Sequence, residues 1–149
     1  MRVHLFLFII LFGMAKGCCP QRDRVEPQQP SNVTGWHYRE ERGIRIQGDF
    51  LLHRGEATSN DNLEVKLLEI NPGDDCVEEA SYLQNPSVKL QFLRPSDRHI
   101  LCENRFYEHG TATLSTSTCS ESLAESGVVG IYVDAISVKG GWVFFELRD

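Results

Sequence analysis

Five cysteines carry the most versatile chemistry in this chain, at positions 18, 19, 76, 102 and 119. A thiolate can attack sulfur or carbon, bind zinc or close a disulfide. Zinc sites favour Cys-x-x-Cys pairs, and this sequence has none. Disulfide pairing is therefore the expected use of Cys19, Cys76, Cys102 and Cys119, four thiols that allow three connectivities. Each bridge would contribute about 2–4 kcal/mol by restricting the unfolded chain. His37, His53, His99 and His109 are scattered, and none stands at ligand spacing from a cysteine; surface or hydrogen-bonded histidines are expected, and no metal. Asn60-Asp61-Asn62 and Asp74-Asp75 are oxygen-rich in the manner of hard-cation ligands. Their spacing is not that of an EF-hand, and these residues are also ordinary turn formers, so turns are expected. Gly-x-Ser-x-Gly, a glycine-rich phosphate loop and His-Glu-x-x-His are all missing from the sequence. No catalytic residue and no cofactor is assigned.

Cys18 belongs to a different argument. Arg2 precedes an apolar run over 3–14, and Ala15-Lys16-Gly17 supplies small residues just before Cys18. That order is the charged, apolar and small-residue sequence of a secretory signal peptide over 1–17. The apolar run falls short of the roughly 20 residues that span a bilayer. Export is expected, and with it an oxidising compartment. The Gly17-Cys18 junction and the polar segment after it resemble a bacterial lipoprotein signal, although Ala15 and Lys16 depart from that pattern. The resemblance implies an acyl chain on Cys18, and hence a membrane-anchored protein of the periplasm or cell surface. Lipidation would leave four cysteines that can all pair; plain secretion would leave an odd one. Asn32-Val33-Thr34 is a glycosylation sequon, used only on a eukaryotic secretory route.

Loss of residues 1–17 removes Arg2 and Lys16 and no carboxylate, taking the net charge from −6 to −8. Nucleic acid is thereby disfavoured as a partner, because phosphate neutralisation needs clustered Lys and Arg. An anionic lipid surface is disfavoured for the same reason, so membrane contact is expected only through a lipid on Cys18.

The elements that must position these groups follow from periodicity. Residues 18–35 hold three prolines and few apolar side chains, the composition of a flexible polar tether. From 36 to 149 the pattern turns to period two. Ile44 and Ile46, then Leu63, Val65 and Leu67, then Val88, Leu90 and Phe92 alternate with polar residues, the mark of strands half covered by a core. Further strands are expected near 50–53, 99–107 and 111–117. Phase shifts at Leu67-Leu68 and Ala135-Ile136 predict β-bulges. Lys139-Gly140-Gly141 between two β-branched and aromatic runs predicts a hairpin of two central strands. Asp75-x-x-Glu78, stopped at Asn85-Pro86, predicts one short helix. Thr118-x-x-Glu121, stopped at Gly127, predicts another. Trp36, His37, Tyr38, Phe106, Tyr107 and Trp142 are expected to fill the core.

The reading is one all-β domain, an antiparallel β-sandwich or small barrel of about seven strands with one or two short helices. Function is expected to be non-catalytic binding or structure, with an unknown protein or glycan as partner. The alternatives are an inhibitor of a secreted enzyme, presenting a preorganised loop, and an enzyme whose site forms only in the fold.

Overall fold

The computed structural model describes residues 23–77, 81–109, 111–113, 119, 123 and 126–149. Among them are nine strands: β1 (Gly35–Glu41), β2 (Ile44–His53), β3 (Ala57–Ser59), β4 (Glu64–Asn71), β5 (Ser87–Leu93), β6 (Ile100–Tyr107), β7 (Thr111–Thr113), β8 (Gly130–Ser137) and β9 (Trp142–Arg148). Every pairing is antiparallel. They form a five-stranded sheet in the order β1-β2-β9-β8-β7 and a four-stranded sheet in the order β3-β4-β5-β6. The chain crosses between sheets twice, from β2 to β3 and from β6 to β7.

Period-two burial builds this sandwich. Val65 and Leu67 on β4, Val88, Leu90 and Phe92 on β5, and Val143, Phe145 and Leu147 on β9 are fully buried and merge into one cluster with Phe50, Ile131 and Val133. Burying each such side chain contributes roughly 1.5–3 kcal/mol. Intervening residues face water and pair with one another: Lys89 with Glu103 at 3.4 Å, Arg105 with Glu69 at 3.1 Å and Arg98 with Glu64 at 3.1 Å. The predicted hairpin is β8–β9, and β9 lies between β2 and β8 as its two-sided apolar character requires. Of the aromatics expected in the core, Trp142 and Phe106 are buried and Trp36 packs on Phe50 with ring centroids 4.7 Å apart, whereas Tyr107 is half-buried and His37 and Tyr38 lie exposed on the edge strand β1.

Register breaks occur where the apolar phase slips. Leu68 is the extra residue of β4 against β5. In β8 it is Asp134, one position earlier than the sequence pattern suggests. The exposed aspartate is the residue squeezed out, which lets Val133 and Ile136 both remain fully buried.

Of the helix expected from Asp75, residues 78–80 lie outside the described residues, and the described part holds a single 3-10 turn, Tyr82–Gln84, with Ser81 as N-cap. None of its residues is buried, so nothing offsets the cost of nucleating a longer helix. The second expected helix and the end of the 111–117 strand fall largely outside the described residues. Within that region the Leu123 amide donates to the Cys119 carbonyl at 3.1 Å, and both side chains are buried.

The two-residue β1–β2 turn places Arg42 at φ 51° and Gly43 at φ 77°, the two positive angles of a type I′ hairpin. Glycine adopts this region freely, whereas arginine pays for the crowding of its Cβ. Arg42→Asn is therefore expected to stabilise the fold by about 1 kcal/mol, read as a higher urea midpoint at unchanged m-value.

Candidate functional site

At one end of the sandwich the turn at 53–56, the connection 72–86, the turn after β6 and the hairpin loop 138–141 converge. Arg54 donates its backbone N–H to the Gly141 carbonyl at 2.9 Å, and Glu108 donates its own to the Pro86 carbonyl at 3.0 Å. Residues 23–34, which have no regular secondary structure, are fastened to this end. The Arg24 guanidinium donates to the carbonyls of Pro72 at 2.7 Å and Gln84 at 2.9 Å. The Glu26 carboxylate accepts from the Ser137 hydroxyl at 2.7 Å and the Lys139 backbone at 3.3 Å. Ser137 Oγ in turn accepts from Gly140 N at 2.9 Å, so one carboxylate organises the hairpin loop. Farther along, the backbone and hydroxyl of Thr34 both donate to the Asp49 carboxylate.

Beside this strap lies an open cleft of about 500 Å³, lined among others by Asn71, Asp74, Leu83, Asn85, Ser87, Arg105 and Tyr107. Two Asx-type bonds shape its rim: Asn71 Oδ1 accepts from Gly73 N and Asp74 Oδ1 from Cys76 N, both at 2.9 Å. Arg105 forms its inner wall. The guanidinium is held by Glu69 and donates to Ser87 Oγ at 3.0 Å, and Ser87 is itself buried. Tyr82 packs edge-on against Tyr107 with ring centroids 5.0 Å apart. It nevertheless keeps 63% of its surface exposed, and its neighbour Leu83 keeps 40%. The fold holds these apolar groups in water instead of covering them.

Cys102 and Cys119 form a disulfide across 17 residues. Cys76 is also disulfide-bonded, to a cysteine outside the described residues. Cys18 and Cys19 are outside them too. Such bonding belongs to an oxidising environment. Asn32 is exposed on the strap. His37, His99 and His109 are exposed and His53 is half-buried. Among the described residues no group of His, Cys, Asp and Glu is arranged to hold a metal ion, and no helix is long and apolar enough to cross a membrane. Asn60 and Asp74 serve as turn formers: Asn60 Oδ1 accepts from the backbone of Asn62 and Leu63.

One carboxylate pair went unnoticed in the sequence. Asp49 and Glu146 face each other across β2 and β9, and both approach the same Arg39 nitrogen at 3.4 Å. Burial works to lower the Arg39 pKa, but its hydrogen bond to Glu41 and the charges of Asp49, Glu41 and Glu146 outweigh that and raise it. Glu146 is gripped from its other side by Arg148 at 3.0 Å, and Arg148 lies over the Tyr132 ring. All four carboxylate oxygens are thus engaged by Thr34, Arg39 or Arg148, which suits a structural clamp better than a proton-transfer pair. No spacing rule links residues so distant in sequence; only the register of two strands joins them.

At the β2–β3 crossover, Glu56 accepts from the His53 backbone at 2.8 Å and meets His53 Nδ1 at 3.1 Å. The backbone bond above all, and then the imidazole, hold the Glu56 carboxyl below the ordinary carboxylate range. A lowered folded-state pKa favours the ionised form, so its stabilisation is present above the unfolded value near 4.5 and is lost as pH falls through the folded one. Glu56→Gln is expected to cost a few tenths of a kcal/mol at neutral pH, since the pair is largely exposed and screened. The difference between variant and parent should close in acid, as read by urea titration at neutral and acid pH.

No protein-family model, no curated protein and no solved structure matches this chain.

Proposed function

We propose that this chain is an exported, non-catalytic binding module that engages its partner through the loop end of the sandwich. The carrying observation is the cleft there, with Tyr82 and Leu83 held in solvent beside it. An exposed aromatic next to convergent polar groups is the usual make-up of a recognition surface. The saturation of the Asp49–Glu146 pair supports a binding role over a catalytic one.

The N-terminal part of the proposal is that residues 1–17 are a cleaved leader, that Cys19 is the partner of Cys76, and that Cys18 is left to carry an acyl chain. The disulfide at Cys76 supports it, together with the strap that Arg24 and Glu26 fasten to the same end. Intact mass of the protein purified from membranes, followed by peptide mapping, tests it. The expected result is loss of residues 1–17, added lipid mass on Cys18 and a Cys19–Cys76 cross-linked peptide. An unmodified Cys18 with the leader removed would replace the anchor by plain secretion; an intact leader would overturn export.

A second reading has an observation in its favour. The connection 72–86 is pinned by a disulfide at Cys76 and presents Tyr82 and Leu83, as an inhibitor of a secreted enzyme would present a preorganised loop. Inhibition of a panel of secreted hydrolases, lost in Tyr82→Ala, would favour it over the binding module.

A further inference from the structure

We infer that the loop-end cleft binds a neutral saccharide, an inference that rests on the reading of this end as a recognition surface. Sugars present two chemistries at once: an apolar C–H face on each pyranose ring and a rim of hydroxyls that both donate and accept. A site for them needs a flat, solvent-exposed aromatic and fixed polar groups whose bonding capacity is not already spent.

Tyr82 supplies the platform at the edge of the cleft, joined to its lining through Tyr107. It is 63% exposed, and the edge-on contact with Tyr107 fixes its ring without covering it. The polar side is supplied by the cleft itself. Asn71 and Asp74 each spend a single side-chain oxygen on the local turn, which leaves the Asn71 amide nitrogen as donor and the second Asp74 oxygen as acceptor. The Asn85 side-chain amide is without a hydrogen-bond partner among the described residues. Ser87 Oγ accepts from Arg105, and its proton stays free to donate. The cleft therefore offers both donors and acceptors, which suits hydroxyl groups. An anion would meet the carboxylates of Asp74 and Glu69 beside Arg105, whose charge Glu69 already balances at 3.1 Å. A purely apolar ligand would strand the amides.

The test is chemical-shift mapping on the intact oxidised protein, titrated with neutral trisaccharides of glucose and of N-acetylglucosamine, with a sulfated trisaccharide and an unstructured tyrosine-rich peptide as comparison probes. The expected result is saturable shifts at Asn71, Asp74, Tyr82, Asn85 and Tyr107 with a neutral sugar, at a Kd on the order of 1 mM, which corresponds to about 4 kcal/mol. Tyr82→Ala and Asn85→Ala should each weaken binding about tenfold or more; Asn85→Ala should leave the urea midpoint within error, and Tyr82→Ala, which also loses the Tyr107 contact, should lower it only slightly. Shifts at these residues with the peptide and none with any sugar would overturn the saccharide and keep the recognition surface. Silence of the loop end to all four probes, or shifts that Tyr82→Ala does not diminish, would overturn the saccharide site and remove the support it lends to that surface.

Discussion

Gly48→Ala is expected to destabilise the domain by about 3 kcal/mol, the upper end of the usual range for overpacking. Gly48 sits opposite Trp36 where β1 and β2 both slip register. A Cβ there would overlap the backbone carbonyl of Gly35 and come within 2.7 Å of Phe50 Cζ. The first obstacle is main chain and cannot rotate away. The second is a core ring wedged between Trp36 and Phe145, at 4.7 and 5.5 Å between centroids. Relief requires either lifting β1 from its neighbour, with loss of the Trp36–Thr58 hydrogen bond at 3.1 Å, or pushing Phe50 into a full core. Thermal unfolding should show a drop of roughly 10 °C at this domain size. An unchanged midpoint would mean that β1 does not lie over Gly48.

Removing the Cys102–Cys119 bond in the double variant Cys102→Ala/Cys119→Ala should cost a similar amount. Closing a loop of 17 residues removes about 3 kcal/mol of chain entropy from the unfolded state. The expected signature is a lower urea midpoint together with a raised m-value, as the freed chain expands. Both cysteines are buried against the common core. Reductant, which also opens the bridge at Cys76, should lower the midpoint at least as far as the variant does, and a variant as stable as its parent would show that the Cys102–Cys119 bridge adds nothing beyond the packing of its neighbours.

Strands β4 and β5 were legible because each has one dry face, whereas the edge strands β1 and β3 bury no residue and left no such mark. Val88, Leu90 and Phe92 announce β5 by alternation alone, and two glycines between β-branched and aromatic runs announce the β8–β9 hairpin. Leu68 was legible as a bulge because two adjacent leucines cannot both point inward. Asp134 was missed by one residue, since sequence shows that the phase slips but not which residue is ejected. The helix from Asp75 misled because a capping pattern says where a helix can begin, whereas an apolar face decides whether it persists, and Tyr82–Gln84 buries nothing. The loop-end site was not legible. Tyr82 and Asn85 lie on the connection before β5 and Arg105 on β6, so their approach depends on sheet register, and Arg24 and Glu26 lay in a stretch whose composition suggests slackness. Their grip depends on backbone carbonyls and one serine hydroxyl of the folded domain, which no local pattern encodes.

That grip decides how the molecule bears tension. A pull on the amino terminus does not reach β1 first, where it would peel strands apart one hydrogen bond at a time. It is taken up at the loop end, by the guanidinium of Arg24, the carboxylate of Glu26 and the sulfur of Cys76, and is passed into β4 and the β8–β9 hairpin of opposite sheets. The two layers are then loaded together, so rupture under force should be a single abrupt event in the oxidised protein and a stepwise unzipping from β1 once sulfur bonds are reduced.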